Sequence, residues 1–472
     1  MNYTRNGTGP DGIAYPGSSG INVIVIGLGY AGVTAAIECH RKGHKVSIYE
    51  QTPGVSVLGD MIGLSPNSAR IIAKWDRGGI HEQIIPHAGQ YVENNIHKHD
   101  TGEILFSQPM SGYTDFQGYL APRPVLMKLF ADYCRKLGIP IFFGHRVIDF
   151  FEDENEAGII LEGSSTKIKA DCVLACDGIH SKARGTITGW QDRPYPTGYA
   201  AYRAWYDADF IRDNPKLQFL FKGDYDKMEV FIGPNMHAIF GTCSQQRLIT
   251  WTVTHKDALD VVESWTQRGK IEDAMDYIKG WDSRIHEVIK HTPPDQIFDH
   301  KLAWRDPLPR WTSKHNRMIV LGDAAHPFLP TSGQGAGQAI EDCATIAICL
   351  ELGGKKRVPL ALQVCEKLRH ARASLAQKMG IETREIWHKT DWEVVKSRPE
   401  MVSMPNPAWL FAHNPQKYAY DEFDIAAHAV ETGSTYVPTN VPPPEVNHRI
   451  SDFRDAQSDK LHNGTAPMRA KI

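Results

Sequence analysis

Three stretches of this 472-residue chain carry residue types at the spacing that a phosphate-bearing ligand requires. The first is Gly27-Leu28-Gly29-Tyr30-Ala31-Gly32, which follows the apolar run 21–26 and opens a segment, 30–42, with small and apolar residues at helical spacing. Gly27 permits a tight turn, Gly29 lets backbone approach a pyrophosphate, and Gly32 lets helix and strand pack closely. The helix N-terminus then presents N–H groups to phosphate. Glu50 closes the next strand-forming run, 46–49, where a carboxylate can accept hydrogen bonds from a ribose. This predicts a βαβ dinucleotide site. The glycine spacing alone does not separate FAD from NAD, and a plain glycine-rich turn with a solvated Glu50 remains the simpler alternative.

The second stretch, 318–342 (MIVLGDAAHPFLPTSGQGAGQAIED), reads as a strand, then Gly322-Asp323, then a Pro/Gly loop feeding a helix. The third, 172–184 (CVLACDGIHSKAR), reads as a strand ending at Asp177-Gly178. Together with the first they resemble, in order, the motifs of flavoprotein aromatic hydroxylases of the p-hydroxybenzoate and salicylate hydroxylase type. The resemblance implies bound FAD. Asp323 would hold the ribityl chain or neighbouring phosphate, and the turn 333–337, with Gly335, Ala336 and Gly337, would place N–H groups near the flavin pyrimidine. A helix N-terminus there suits the anionic reduced ring. Asp177, with Ser181 and Arg184, would serve FAD and a transiently bound nicotinamide. Arg123 stands where the family has an FAD-contacting arginine, and Gly63 lies in the flavin-proximal stretch 59–67. No second strand-flanked GxGxxG is present, which agrees with NADPH or NADH visiting the flavin without a domain of its own. His326, by the same resemblance, belongs to the flavin-binding loop rather than to the chemistry.

Two further residues bear on substrate. In 198–205 (GYAAYRAW) strand alternation puts Tyr199, Ala201, Arg203 and Trp205 on one face and Tyr202 on the other. An arginine on a buried face is costly unless an anion, a ligand or the flavin pairs with it. Asp60, in 59–67 (GDMIGLSPN), resembles a fungal branch whose monooxygenases oxidise prenylated indole alkaloids to a 2,3-epoxide that can collapse to a spiro-oxindole. The stretches 198–204 and His291-Thr292-Pro293-Pro294 share that resemblance. It implies that Arg203 protonates the opening epoxide oxygen while Asp60 keeps it charged and oriented. Read from the residues alone, the pair serves equally to position FAD. The aromatics Tyr202, Trp205, Tyr206, Phe219, Phe221 and Phe231 fit either a flat pocket or an ordinary sheet core.

The elements needed to position these groups give an α/β chain. A discontinuous Rossmann-like FAD-binding domain (21–195 and 286–395) encloses a mainly antiparallel β-sheet substrate domain (196–285), with strands predicted at 198–207, 217–221, 228–232, 237–242 and 248–254. A long helix starts near Gly335 and a second covers 360–381 or beyond. Residues 1–20 read as a disordered leader, and 396–472 as a C-terminal extension with a loose tail after about 436. The net charge of −3 gives no basic footprint for nucleic acid or anionic lipid. Eight scattered cysteines without a CxxC pair or zinc spacing read as reduced thiols, and no membrane span or signal peptide is visible. The resulting expectation is a soluble, cytoplasmic, metal-free monooxygenase, monomer or homodimer. It would take NAD(P)H, O2 and an aromatic or indole substrate through a flavin C4a-hydroperoxide. A salicylate- or phenol-type ring hydroxylase is the nearest alternative, and an FAD oxidoreductase without oxygen insertion the alternative of another class.

Overall fold

Four of the five residues of Asn22–Ile26 are buried, as in a strand covered on both faces. In the computed structural model, which describes residues 17–56, 59–110, 117–190, 194–258, 264 and 267–442, this strand is the centre of a parallel sheet. Its order is Met318–Val320, Cys172–Ala175, Asn22–Ile26, Lys45–Glu50, Ile141–Phe143. The three motifs therefore leave neighbouring strands from the same sheet edge, and the loops that follow them converge. The helix Tyr30–Arg41 packs against the helix Gly335–Gly353, whose apolar residues are buried almost all round. The long helix Val358–His388 and the helix Pro415–Thr432 close over it.

A second, seven-stranded sheet runs in the order Ile297–Trp304, Tyr195–Asp207, Leu248–Lys256, Met236–Cys243, Asp226–Gly233, Tyr91–Lys98, Ile104–Pro109. It is antiparallel except between Asp226–Gly233 and Tyr91–Lys98. The strands expected within 196–285 are thus joined by three from outside that stretch. Tyr91–Lys98 lacks an apolar alternation because its polar groups are buried against one another: Glu229 accepts from Asn95 Nδ2 at 3.4 Å and pairs with His97 Nε2 at 2.5 Å. One predicted strand is corrected. Residues 218–221 form a 3₁₀ turn, with Leu217 and Leu220 buried three apart on its inner side.

Tyr202, Tyr206 and Phe231 belong to the core between this sheet and the helices Ile271–Tyr277 and Ser283–Lys290, with Phe219 and Phe221 packed at its edge. Trp205 differs: it lies on the other face and stacks on Phe298 at 5.3 Å. All eight cysteines are buried and free. Among the described residues no helix is long and apolar enough to cross a membrane. The leader up to residue 16 and the tail from 443 lie outside the described residues. The chain before that tail is held in place, since Asn440 is buried and its carbonyl accepts from Arg372.

Candidate functional site

Gly27 adopts φ +89, and a Cβ there would approach the Cys176 carbonyl oxygen to 2.6 Å; at Gly32 it would approach the Gly27 oxygen to 1.9 Å. Packing explains both. Gly29 is different, because a Cβ would meet nothing within 4 Å. It stands at the start of Tyr30–Arg41, a helix with no side-chain cap and no acid in its first turn, so open space faces uncapped N–H groups. Glu50 is fixed beside this turn, its Oε2 accepting from the Leu28 N–H at 2.7 Å and its Oε1 from Thr52 at 2.8 Å.

The same openness recurs at Gly63, Gly178 and Gly333. Gly335, Ala336 and Gly337 form the first turn of Gly335–Gly353, again without a side-chain cap or an acid. Asp323 faces this turn, 3.9 Å from where a Gly335 Cβ would sit. Its side chain is exposed to solvent, yet the protein around it pushes its carboxyl above the usual range, against the pull of His326, Arg123, Arg184 and Arg305. A carboxylate both reachable and enclosed lines an internal cleft. Arg184 is buried and ties the motifs together, donating to the Asp323 oxygen at 2.7 Å and the Ala324 oxygen at 2.8 Å. Asp177 supports the start of the helix Lys182–Thr188, accepting from its N-cap Ser181 Oγ at 2.6 Å and from the Ala183 N–H at 3.2 Å.

Beneath the cleft lies a buried ion network that sequence reasoning missed. Glu341 pairs with Arg369 and Arg372, while Asp342 accepts from Arg369 Nε at 2.9 Å, the Gly322 N–H at 3.1 Å and His326 Nε2 at 2.6 Å. Asn67 Nδ2 reaches Glu341 at 2.5 Å. Burial alone would raise both carboxyls. Arg372 and Arg369 outweigh it at Glu341, and His326 and Arg369 at Asp342, so both are held below the usual range. His326 is thus part of the scaffold of the cleft. The arginines gave no local signal because they lie on another helix.

Asp60 and Arg123 come side by side from a two-stranded ribbon, Met61–Leu64 against Tyr119–Pro122, with the Arg123 N–H donating to the Asp60 carbonyl at 2.9 Å. Arg203 Nη1 lies 3.7 Å from Asp60 Oδ1, their side chains 7% and 17% exposed. Burial lowers the Arg203 pKa, Asp60 opposes this, and Arg123 adds to it. Opposed residues continue the Arg203 row across the sheet through Thr252, Ile239 and Val230. Thr252, Thr250, Ile239 and Met228 on this face stay partly exposed, whereas the opposite face is sealed by helices. The far part of this face is closed, since Val230, Ile232 and Ile239 pack with Trp387, Val395 and Val402, and the part around Arg203, Thr250 and Thr252 is the candidate floor of a chamber. Leu329, from the loop after Asp323, packs with Ala201, Leu302, Tyr199 and Ile381 at its side.

Several proteins share this sequence and arrangement. A family profile described as FAD binding domain matches residues 20–377. The FAD-dependent monooxygenase nanF of Aspergillus nanangensis is 37% identical over 453 residues, 94% of this chain and 98% of that protein. Notoamide E oxidase notB' of Aspergillus versicolor is 39% identical over 452 residues, 93% and 97% of the two chains. The crystal structure of CtdE in complex with FAD and a substrate superposes with a TM-score of 0.82 at 41% identity, over 87% of this chain and 100% of that one.

Proposed function

The chain belongs to the FAD binding domain family and is an FAD-dependent monooxygenase; from that premise we propose that it oxidises the indole C2=C3 bond of an alkaloid, with a spiro-oxindole as a product. The observation that carries this reading is the Asp60–Arg203 pair on a chamber floor that adjoins the glycine-lined cleft. The similarity to notoamide E oxidase supports the substrate class.

In this reading residues 21–195 and 286–395 hold FAD and 196–285 provide the substrate floor, except that the strands Tyr91–Lys98, Ile104–Pro109 and Ile297–Trp304 extend the sheet of that floor. Gly27, Gly29 and Gly32 shape the pyrophosphate turn, and Glu50 takes the ribose. Arg123, Asp177 and Asp323 serve the rest of the chain, and Gly63, Gly335, Ala336 and Gly337 the ring. Bound FAD, reduced by NADPH, supplies an electrophilic oxygen from O2 to the electron-rich ring. The chamber must exclude water for that transfer. A guanidinium is ordinarily too weak an acid to give up a proton. Burial at Arg203 makes the loss easier, and Asp60 holds the charged form in place until the substrate oxygen develops negative charge. The eight buried free thiols favour a reducing, intracellular setting, and the protein acts as a monomer or homodimer.

The test is NADPH oxidation by the purified yellow protein with and without a prenylated indole alkaloid, with mass spectrometry of the products. Stimulated oxidation with gain of one oxygen is expected. Stimulation by phenolic acids and not by indoles would replace the indole reading with a ring hydroxylase.

A further inference from the structure

We propose that Arg384 anchors the far end of the substrate by donating to a neutral carbonyl oxygen, and so selects which alkaloids bind productively. This rests on the indole-alkaloid reading and extends it to a second recognition point in the same chamber.

Tyr199 precedes Arg203 by four residues on one face of one strand, so the two are about 13 Å apart at roughly 3.3 Å per residue. The Arg384 guanidinium lies over the Tyr199 ring at 4.8 Å. This separation suits a polycyclic substrate whose indole sits by Arg203. The side chain of Arg384 is only 3% exposed. Its Nη2 donates to Glu385 Oε1 at 2.9 Å, but its Nε and Nη1 are buried and have no hydrogen-bond partner among the described residues. A ring face attracts the charge but accepts no conventional hydrogen bond from those two groups. Buried guanidinium N–H groups left unmet are expensive, so their persistence beside a chamber indicates an acceptor that arrives with a ligand.

The charge balance identifies that acceptor. Glu385 already neutralises Arg384, and Lys389, which also reaches Glu385, is largely in solvent. The neighbouring His237 and His388 share one hydrogen bond at 2.8 Å. A carboxylate would find no spare buried cation, whereas the fork of Nε and Nη1 fits an uncharged lactam carbonyl. The Tyr199 ring that Arg384 covers is itself partly exposed.

Steady-state kinetics of the FAD-loaded protein tests this with two substrates, a prenylated indole diketopiperazine and a prenylated 3-alkylindole lacking any carbonyl. Arg384→Met is expected to raise KM for the diketopiperazine about ten- to a hundredfold, to leave its kcat nearly unchanged, and to leave both constants for the carbonyl-free indole as they were. Arg384→Lys, which keeps the charge but not the fork, should lie between. An unchanged KM for the diketopiperazine, or equal losses on both substrates, overturns the anchor and leaves the indole reading standing. A wild-type protein that oxidises neither indole overturns both.

Discussion

The cleft we assign to FAD and the chamber we assign to substrate meet at the loop 322–333, yet they treat charge in different ways. Below the cleft, Glu341, Asp342, Arg369 and Arg372 are buried and mutually bonded, and every carboxylate oxygen has a cation or an N–H against it. Around the chamber, the buried Arg203 and the partly exposed Asp60 stand 3.7 Å apart, and Arg384 keeps its Nε and Nη1 in reserve. A cofactor that stays bound allows a fixed frame of paired charges. A substrate that comes and goes requires polar groups satisfied only when it is present. The cleft is therefore built for position and the chamber for exchange.

The largest test of that contrast is to unbalance the frame. Glu341→Leu leaves Arg369 and Arg372 with a buried positive excess and should cost about 3–5 kcal/mol, read as a large fall in melting temperature and in soluble yield. Asp323→Ala removes a carboxylate from the cleft itself; the variant should fold but purify nearly free of flavin, and full FAD occupancy would remove Asp323 from the binding site. Arg203→Ala is expected to retain FAD and lose product or selectivity, so unchanged turnover would reduce it to scaffolding. If Asp60 works by orienting Arg203, the Asp60→Ala/Arg203→Ala double variant should be little worse than the poorer single one; additive losses would show them independent.

The smallest effect is a pH dependence at the chamber wall. Burial, with Arg384 and Lys389 adding, pushes His388 down to about 3, and burial pushes His237 well below its usual value. Between about 6.5 and 3 the unfolded chain binds protons that the folded one refuses, so stability is fully present above 6.5 and falls as pH falls. The depressed carboxylates Glu341 and Asp342 lose their share only below about 4, leaving pH 6.5 to 5 to the histidines. Melting temperatures of His388→Phe across that window should vary less with pH than those of the wild type; an identical slope would show that the pair carries no such linkage.

The legibility of the two regions in the sequence follows the same contrast. The cleft depends on backbone approach, which only glycine at fixed offsets allows, so Gly27, Gly29 and Gly32 advertise it within a few residues. The chamber is assembled from strands and a helix far apart in the chain. Arg203 was visible because an arginine interrupts an aromatic strand. Arg384 sits in an unremarkable helical run and meets Tyr199 only after folding. Tyr91–Lys98 escaped notice because its buried residues are polar, and residues 218–221 misled because their apolar run satisfies a 3₁₀ turn as well as a strand.

The helix Val358–His388 carries Arg369 and Arg372 to the cleft, packs Gly380 against Leu329 and Ser332, and ends with Arg384 and His388 on the chamber. It acts as a gauge block between the two. One residue inserted between 372 and 384 would turn the chamber end by about 100° relative to the cleft end. Exchanging side chains along this helix at constant length would therefore alter the chamber and leave the cleft in place, whereas an insertion in that interval would disturb both.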